Sequence, residues 1–468
     1  MTQKTICYLV AHGFSARMLL HSQLTHHFRD AGYKLVMLVA DSAVNSFSNI
    51  DESLIKLESV KSQKTHLLMS LTDARRYLKE PIRENAALWS RHLYWSNGMG
   101  GKLAKYRAKL NYVAHRILFR CRPLHKVFNW IDHWAHSDKA MRDKLKEIAP
   151  DVIVSTYPVA QLETTALLEA KKLNIPTVGH LLSWDNITCK GLFSVVPDHF
   201  VTWGPIMDEE LSEFYGVEPA RKHACGVPHF DAHLELVDQE FNQDVLTELG
   251  LDPSKPYLFF GMSAPIFSPH EIDLVEWFAK EIERGTFGDD MQLIVRPHPQ
   301  NVTGNMADDS WLPRLQKLPS DRVALNYPRL TDQGLSWNMA TEDLKVLVNL
   351  LAGSSVCFNS GSTLSIDALA HNKPVIVTLF DADRTDLPWW KSARRIHEYP
   401  HYKKLLAMGG VVPVNDFDEL ITETKAFLSE PDRLIDQRTE TLRRECTAVS
   451  GSCQRVVQAF DKILGQSR

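Results

Sequence analysis

A run of small and hydroxyl residues, Ser360-Gly361-Ser362-Thr363, stands between an apolar stretch that predicts a strand and a segment that predicts a helix. Small side chains let a phosphate group approach the backbone, and a helix N-terminus offers N–H donors and the positive end of its dipole. Asn359 precedes the run, and Asp367 follows Thr363 by one helical turn, where a carboxylate can accept hydrogen bonds from ribose hydroxyls. This spacing predicts a nucleotide diphosphate site. The alternative is a simple helix cap with a solvated Asp367.

The segment Arg296-Pro297-His298-Pro299 is a second candidate for phosphate binding. It follows another apolar stretch, and its two prolines restrict the backbone of the turn. At the end of a strand, Arg296 offers positive charge and His298 a proton donor to a diphosphate. The alternative is a surface turn in which Arg296 forms a salt bridge.

The N-terminal half carries the candidates for acid–base chemistry. A hydroxyl group that attacks a sugar needs a base within hydrogen-bond reach, and His12 and Asp185 each follow a predicted strand. His12 is one of 20 histidines, so its loop position is its main distinction. Asp185 alternatively caps a helix or holds the acceptor. Its neighbours Trp184 and Asn186 are candidate acceptor contacts, although burial in the core fits Trp184 equally well.

These loops connect alternating strands and helices. Ile6–Ala11 and Lys34–Ala40 are apolar runs that predict strands, and apolar residues three and four apart predict one helix from Ser15 to Gly32. The pattern returns with strands at 151–155 and 177–182 around a helix at 159–173, and with a strand at 200–203. Such alternation is typical of a doubly wound parallel sheet, which binds ligands at the carboxyl ends of its strands.

A second series of the same kind starts at Tyr257. Strands are predicted at 257–261, 291–295, 355–358 and 374–379, with a helix at 364–370. Ser268-Pro269-His270-Glu271 predicts another helix start, with Glu271 in a capping box. We therefore predict an α/β chain of two tandem doubly wound, Rossmann-like domains with an interdomain cleft.

The predicted boundaries follow from these two series. Residues 1–235 form an N-terminal domain for the acceptor, with a mainly helical insertion at about 75–140. Residues 236–256 are a linker, and residues 257–440 form a C-terminal domain that binds the nucleotide. Residues 441–468 are expected to be helical and to pack back on the first domain.

The insertion is basic and rich in aromatic residues. Between Asn85 and Ile131 there is no Asp or Glu, while nine Lys and Arg residues occur. The net charge of the whole chain is −4, so the remainder carries −13. Such a segment can be an anionic-membrane surface, a site for an anionic acceptor or a nucleic-acid patch.

Composition excludes several classes of protein. A chain of 468 residues with 44% hydrophobic and 24% charged residues is neither a small binding module nor a disordered protein. Its near-neutral charge excludes a protein whose whole surface binds nucleic acid. No apolar stretch approaches the ~20 residues of a membrane span, and the N-terminal apolar run is too short for a signal peptide. The seven cysteines are scattered without a C-x-x-C pair, which favours a reducing cytoplasm.

The motifs also resemble a known superfamily. The segment 359–376, N-S-G-S-T-L-S-I-D-A-L-A-H-N-K-P-V-I, is similar to the donor-binding turn, helix and strand of GT-B glycosyltransferases, the superfamily of UDP-glycosyltransferases and glycogen phosphorylase. R-P-H-P at 296–299 resembles the histidine–proline motif of bacterial capsule sialyl- and Kdo-transferases and of teichoic-acid glycerophosphotransferases. The stretch 151–231, with S-W-D-N-I-T-C-K-G, resembles bacterial surface-polysaccharide transferases.

The resemblance assigns roles to individual residues. It implies that Asn359, Ser360, Gly361, Ser362 and Thr363 bind the diphosphate, with Arg296 and His298, and that Asp367 holds the ribose. Asp367 replaces the commoner glutamate, and the E-x7-E pattern of the large retaining group is missing, which favours inversion of the anomeric centre. The glycine-rich first loop of lipid-linked GlcNAc transferases is reduced here to His12-Gly13. Members of this fold generally need no metal, so neither a metal nor another cofactor is expected.

The resemblance implies a hexosyl or related transferase of bacterial surface-polysaccharide, capsule or glycolipid synthesis. It would move a sugar from a nucleotide-sugar to a hydroxyl of a lipid-linked or polysaccharide acceptor, in the cytoplasm and peripherally at the inner membrane face. An anionic membrane is a further expected partner, and nucleic acid is not. The alternatives are a glycerol- or ribitol-phosphate transferase, a nucleotide-sugar 2-epimerase, and a non-catalytic protein that binds nucleotides or polyanions.

Overall fold

The computed structural model describes residues 3–11, 13–47, 50–61, 65–76, 78, 82–302, 308–329 and 341–465. These residues form two compact units. One contains described residues of 1–232 and 444–468, and the other contains described residues of 233–330 and 339–443. The boundaries predicted from the sequence stay predictions.

The first unit contains a parallel sheet of seven strands among the described residues, in the order β3-β2-β1-β4-β5-β6-β7. The strands are β1 (Thr5–Val10), β2 (Lys34–Ala40), β3 (Lys56–Val60), β4 (Val152–Ser155), β5 (Thr177–His180), β6 (His199–Thr202) and β7 (Lys222–Ala224). The central strands are buried along most of their length because helices cover both faces of a parallel sheet.

Alternate residues of β1 point to opposite faces of this sheet. Ile6, Tyr8 and Val10 join one apolar cluster, whereas Cys7 and Leu9 join another. The flanking helices before the insertion are α1 (Gly13–Leu20) and α2 (Leu24–Asp30). Those after it are α8 (Gln161–Lys172), α9 (Asn186–Cys189), α10 (Pro205–Tyr215) and α11 (Pro228–Glu235).

One long helix was predicted for residues 15–32, but two shorter helices, α1 and α2, are present. Ser22 lies at the break: its Oγ donates to the carbonyl oxygen of Met18 at 2.7 Å and accepts from the N–H of Leu24 at 3.2 Å. A serine side chain that hydrogen-bonds to the nearby backbone competes with the helical hydrogen bonds and can end a helix. The apolar periodicity does not register this break, because it continues from α1 into α2.

The first unit contains the mainly helical insertion that the sequence predicted, and the structure places it between β3 and β4. It consists of α3 (His66–Arg75), α4 (Ala86–Ser96), α5 (Gly101–Arg120), α6 (Arg122–His136) and α7 (Lys139–Ile148). A buried ion pair between Arg75 of α3 and Asp132 of α6, at 2.6 Å, connects two of these helices. Met141 and Leu145 of α7 pack into the core of the first unit.

The C-terminal helix α21 (Ser452–Ile463) packs within the first unit. Phe460 contacts Phe28 of α2 edge to face, with ring centroids 5.1 Å apart. Tyr33 OH donates to Asp461 at 2.6 Å, and the carboxylate of Asp231 accepts the first N–H groups of the helix. The helix is amphipathic, and its apolar side completes the core beneath β1.

The second unit contains a parallel sheet of six strands in its described part, in the order β10-β9-β8-β11-β12-β13. The strands are β8 (Tyr257–Gly261), β9 (Gln292–Arg296), β10 (Val323–Leu325), β11 (Val356–Asn359), β12 (Val375–Thr378) and β13 (Val412–Val414). Leu258 and Phe260 of β8 and Phe358 of β11 centre the main apolar cluster of this unit.

Helices flank this sheet on both faces. They are α12 (Gln239–Glu248), α13 (Glu271–Glu283), α14 (Pro299–Val302), α15 (Trp311–Leu315), α16 (Thr341–Gly353), α17 (Leu364–Ala370), α18 (Pro400–Ala407), α19 (Phe417–Ser429) and α20 (Ile435–Cys446). Helix α12 falls in the segment predicted as a linker and packs on α16, where Lys345 lies 4.0 Å from the ring centre of Phe241. Across the described helices, none is both long enough and apolar enough to cross a membrane.

Candidate functional site

The loop that follows β11 is built around the side chain of Asn359. Asn359 is fully buried, and its Oδ1 accepts hydrogen bonds from the backbone N–H groups of Gly361 (3.0 Å) and Ser362 (2.9 Å). Its Nδ2 donates to Ser365 Oγ at 3.0 Å, and Tyr402 OH donates to Oδ1 at 3.3 Å. Two of the N–H groups that the sequence offered to a phosphate are therefore used inside the loop, where they fix its shape.

The hydroxyl groups of Ser362 and Thr363 lie at the rim of this loop. Ser362 is half-buried and Thr363 is exposed. Ser362 Oγ accepts from the N–H of Leu364 at 3.2 Å, so its hydroxyl proton can be donated to a ligand. Gly361 has a φ of +84°, and a Cβ there would overlap the side chain of Ile396. Only glycine fits this turn without strain.

A chain of hydrogen bonds connects the carboxyl ends of four strands. Asn301 Nδ2 donates to the carbonyl oxygen of Ser263 at 3.2 Å, and Ser263 Oγ donates to the carbonyl oxygen of Ser360 at 3.2 Å. Ser360 Oγ and Thr378 Oγ1 lie 2.7 Å apart. These residues follow or end β9, β8, β11 and β12, so the loops at this edge of the sheet are held in one arrangement.

The loop lies where the order of strands reverses. Strands β8 and β11 are neighbours in the sheet although β9 and β10 separate them in sequence. The crevice outside the carboxyl ends of two such strands is the usual ligand position in an open parallel sheet. Ser263 follows β8 and Ser360–Thr363 follow β11, so both line this position.

The buried polar atoms near this crossover that have no hydrogen-bond partner among the described residues include Ser268 Oγ and Asn301 Oδ1. Buried polar atoms are normally paired with protein groups or with ordered water. They can therefore form hydrogen bonds with water or with a ligand near the carboxyl end of β8.

Arg296 ends β9 and is only 6% exposed. Its Nη2 lies 2.6 Å from a carboxylate oxygen of the buried Asp343, and its Nη1 donates to Asn326. Asp343 in turn accepts from the N–H of Arg329 at 3.0 Å. The salt bridge that the sequence left as the alternative is present, but inside the unit rather than at its surface. Binding of a diphosphate by Arg296 stays a prediction.

His298 follows two residues later in the turn between β9 and α14. Burial lowers the pKa of this imidazole to about 4, so the side chain is neutral at pH 7 without a bound anion. A neutral imidazole can still donate one N–H hydrogen bond to a phosphate oxygen. For His298 to act as a proton donor, a bound phosphate would have to raise the pKa of the imidazole so that it becomes protonated.

Asp367 lies in the first turn of α17 and is half-buried. Its carboxylate lies within 4.8 Å of a ring nitrogen of His233. Thr363 occupies the N-cap position of the helix, and its side chain forms no capping hydrogen bond. Asn359 and Ser362 act on the backbone in its place.

The capping box predicted at Glu271 is not formed. Helix α13 begins at Glu271 itself, with His270 at the N-cap position and no side-chain cap. The carboxylate of Glu271 instead reaches back to β8 and accepts from the N–H of Ser263 at 2.7 Å. Burial raises the pKa of Glu271 to about 8, although hydrogen bonds from Ser360 and Ser263 oppose the rise. Glu271 therefore supports the crossover loop rather than the helix end.

Asp381-Ala382-Asp383 follows β12 with the one-residue separation of two carboxylates that can share a divalent cation. Asp381 is buried, and it accepts from Ser392 Oγ at 2.5 Å and from the N–H of Ala393 at 2.9 Å. Its carboxylate is thus used to hold the loop that leads to residue 393.

In the first unit, His12 lies outside the described residues.

The crossover between β1 and β4 contains Glu163, a buried residue that the sequence did not point to. Its Oε2 accepts from Ser155 Oγ (2.7 Å) and from the N–H groups of Thr156 (2.8 Å) and Tyr157 (2.7 Å). Thr156 Oγ1 lies 2.7 Å from Ser15 Oγ. Burial raises the pKa of Glu163 to about 7, against the effect of these hydrogen bonds.

The loop after β5 holds the other three candidates of the first unit. Trp184 is 5% exposed, as burial in the core requires, and Asn186 is buried with its Oδ1 accepting from the N–H of Ser183. Asp185 precedes α9 but does not cap it; its carboxylate lies 2.7 Å from Lys190 Nζ. Burial favours the neutral form of Lys190, but Asp185 outweighs it and the pKa is raised. Lys190 therefore competes with an acceptor hydroxyl for Asp185.

The two units thus collect different candidates. The second unit brings Arg296, His298, Asp367 and the 359–363 loop to the carboxyl edge of one sheet. In the first unit, Asp185 lies at the same edge of the other sheet. The sequence did not reveal four residues that hold these loops, namely Ser263, Asn301, Thr378 and Glu163, and it predicted a different role for the fifth, Glu271. Their only signal is a position at the end of a strand, just after it, or in the first turn of the next helix.

No protein-family model matches the sequence, and no curated protein sequence is similar to it. Similar solved structures include UDP-GlcNAc 2-epimerase from Neisseria meningitidis bound to UDP-GlcNAc, with 11% identity, a TM-score of 0.55, and 98% of this chain and 100% of the other covered. The MnaA–UDP structure from S. aureus has 12% identity, a TM-score of 0.57 and coverage of 99% and 98%. A glycosyltransferase from Rickettsia africae has 11% identity, a TM-score of 0.52 and full coverage of both chains.

TM-scores of 0.52–0.57 over 98–100% of this chain show a common fold at identities of only 11–12%. This similarity and the two parallel sheets confirm the fold class that the sequence predicted. The chain has a GT-B-like fold, formed by two parallel α/β units in tandem.

Proposed function

We propose that this protein is a glycosyltransferase that moves a sugar from a nucleotide-sugar to an acceptor hydroxyl in bacterial surface-polysaccharide, capsule or glycolipid synthesis. The observation that carries the proposal is the crossover loop of the second unit. Ser362 and Thr363 offer hydroxyl groups there, on a turn that Asn359 and Gly361 shape and that lies at the usual ligand position of an open sheet.

In this proposal the donor diphosphate binds at Ser360–Thr363, with His298 donating to a phosphate oxygen and Asp367 accepting from the ribose. The acceptor oxygen attacks the anomeric carbon as the bond to the diphosphate oxygen breaks, and the configuration inverts. The proton of the acceptor hydroxyl passes to His12 or Asp185. The nucleoside diphosphate leaves, stabilised by hydrogen-bond donors of the loop and by Arg296. No metal is required.

The test is a panel of nucleotide-sugars in which free nucleotide is measured with and without candidate acceptors. We expect acceptor-dependent release from one donor, unchanged by EDTA. The double variant S362A/T363A should raise the apparent KM for that donor at least tenfold, while the loss of the Ser362–Leu364 hydrogen bond should cost only about 1 kcal/mol of stability. A matched variant, T247A/S429A, removes two hydroxyls from other helices of the same unit and should leave KM unchanged. No release from any donor, with no nucleotide raising the Tm, would contradict the proposal.

A nucleotide-sugar 2-epimerase is the second candidate, because one of the similar structures above is described as such an enzyme with UDP-GlcNAc bound. An epimerase inverts a C–H centre of the sugar, so it exchanges the C2 proton with solvent and consumes no acceptor. Proton NMR in D2O therefore separates the two reactions: loss of the H2 signal without an acceptor supports epimerisation. Release of CMP from a CDP-alditol in the same panel would support the alditol-phosphate transferase instead.

The location that we propose is the cytoplasm, peripherally at the inner membrane face. A lipid-linked or growing polysaccharide acceptor is presented at that surface. Fractionation of cells in low and high salt tests the location, because a protein held partly by charge leaves the membrane fraction as ionic strength increases.

A further inference from the structure

The outer side of α5 carries a continuous apolar stripe. Its members are spaced three and four residues apart, and each is between 53% and 84% exposed: Leu103, Tyr106, Leu110, Val113 and Ile117. At 100° per residue they occupy an arc of about 80°. The buried Ala108 lies on the opposite side of the helix, so the stripe faces away from the rest of the first unit.

Helix α6 repeats the arrangement. Val127, Trp130 and Trp134 are 52%, 68% and 65% exposed and share one side of the helix, while Phe128 and Asp132 on the other side are buried. Large apolar side chains are usually exposed singly on a protein surface. Two neighbouring helices that both expose an apolar stripe indicate a surface with a partner.

Positive charge borders the apolar stripe. Exposed Lys102, Lys109, Arg116 and Arg120 lie on α5 within about 100° of the centre of its stripe, and exposed Lys126 lies on α6. The segment 86–131 contains no acidic residue. An apolar side flanked by Lys and Arg is the arrangement of helices that lie in a membrane interface.

The chemistry of the surface distinguishes between occupants. A second copy of the same surface would bring these lysines and arginines against one another, which like-charge repulsion opposes. A nucleic acid would neutralise the charges but would leave Leu103, Leu110 and Ile117 in water. An anionic phospholipid membrane satisfies both features, since acyl chains cover the apolar stripe and headgroups pair with the basic residues.

We propose that the outer faces of α5 and α6 dock this protein on an anionic phospholipid membrane, with both helices lying along the interface. The inference rests on the peripheral location proposed above, and it does not depend on which reaction the enzyme performs. The apolar stripes of α5 and α6 enter the membrane, and the Lys and Arg residues beside them select its charge.

The experiment is flotation of the full-length protein with vesicles of phosphatidylglycerol and phosphatidylcholine, compared with vesicles of phosphatidylcholine alone. We expect at least tenfold stronger binding to the anionic vesicles, weakening as salt is added. The variant L103Q/L110Q/I117Q should lose at least tenfold in affinity for them. The variant K102Q/K109Q/R116Q should lose the preference for anionic lipid. A control with the same charge change in the second unit, K280Q/K317Q/K425Q, should bind as the wild type does.

Equal binding to both vesicle types would overturn the proposal. So would a wild-type dimer in light scattering that L103Q/L110Q/I117Q dissociates, or tighter binding to single-stranded DNA than to vesicles. Each surface variant is also assayed for nucleotide-induced stabilisation, which it should retain. Vesicle binding without any nucleotide effect would refute only the proposed reaction, and nucleotide binding without vesicle binding would refute only the membrane surface.

Discussion

Asn359 Oδ1 accepts a hydrogen bond from the backbone N–H of Ser362 at 2.9 Å, and this contact determines how the crossover loop can meet a ligand. The Asn359 side chain accepts hydrogen bonds from the N–H groups of Gly361 and Ser362, which the sequence analysis had assigned to a phosphate oxygen. The loop is therefore organised before a ligand binds, and ligand contacts pass to the hydroxyl groups of Ser362 and Thr363.

Replacing Asn359 by Ala removes the acceptor of two N–H groups in the fully buried centre of the loop. Each unsatisfied buried donor costs about 1–3 kcal/mol. We expect N359A to lower the Tm of the second unit and to abolish nucleotide-induced stabilisation. The control, Q243A on the exposed side of α12, should change neither. A variant with normal nucleotide binding would show that Asn359 does not organise the site.

Gly361 and Gly409 separate backbone strain from steric overlap. Both have positive φ, +84° and +73°, but a Cβ at Gly361 would overlap Ile396, whereas the nearest atom at Gly409 would be Gln437 Cγ at 3.8 Å. Both alanine variants should lose about 1 kcal/mol through strain. G361A should lose more and should also weaken nucleotide binding, and I396A should restore part of its stability. Equal Tm values for G361A and G409A would contradict this packing.

The ion pair of Arg296 and Asp343 predicts a coupled loss of stability. Removing one partner of a buried pair typically costs about 3–5 kcal/mol, because the other charge is left unpaired. We expect R296M and D343N to be destabilised by about that amount in urea unfolding, and the double variant by clearly less than the sum. If Arg296 also holds the diphosphate, R296M will lose nucleotide affinity that D343N keeps. If the losses in unfolding free energy of R296M and D343N simply added in the double variant, the two side chains would not form an ion pair.

Glu163 predicts a pH dependence of stability. Burial raises its pKa to about 7 in the folded state, above the 4.5 of a free glutamic acid, so folding favours the protonated form. The stability that protonation supplies is complete below pH 4.5 and is lost as the pH rises to about 7. E163Q cannot ionise, so the difference in stability between variant and wild type should shift in favour of the variant by about 3 kcal/mol from pH 4.5 to 8. E147Q, at an exposed position of the same unit, is the control. A pH-independent difference for E163Q would show that Glu163 ionises normally.

The sequence predicted the central strands well and missed all four edge strands among the described residues. Strands such as Lys34–Ala40 and Tyr257–Gly261 were predicted with the bounds that the structure has, because burial on both faces makes them apolar along most of their length. β3, β7, β10 and β13 lie at the sheet edges. All four are short. Polar residues interrupt β3 and β7, as in Lys222-His223-Ala224, whereas β10 and β13 are apolar but only three residues long.

The sequence predicted where the candidate site lies but not which side chains contact one another there. Small residues after a strand identified the loop at 360–363, because that signal is local. The partners of Asn359, Arg296 and Glu271 could not be predicted, since Tyr402, Asp343 and Ser263 are between 8 and 47 residues away in sequence. The capping-box prediction at Glu271 failed for the same reason: a nearer helix N-terminus and a more distant strand end competed for one carboxylate.

Hydrogen–deuterium exchange of the intact protein, with and without saturating UDP, GDP, CDP or CMP, tests whether the crossover loop of the second unit binds a nucleotide. We predict that one of these nucleotides slows exchange of the amides in residues 359–366 and around Ser263, and that N359A removes the effect. A nucleotide that raises the Tm while leaving exchange in these segments unchanged would place the site elsewhere and contradict a nucleotide site at this loop.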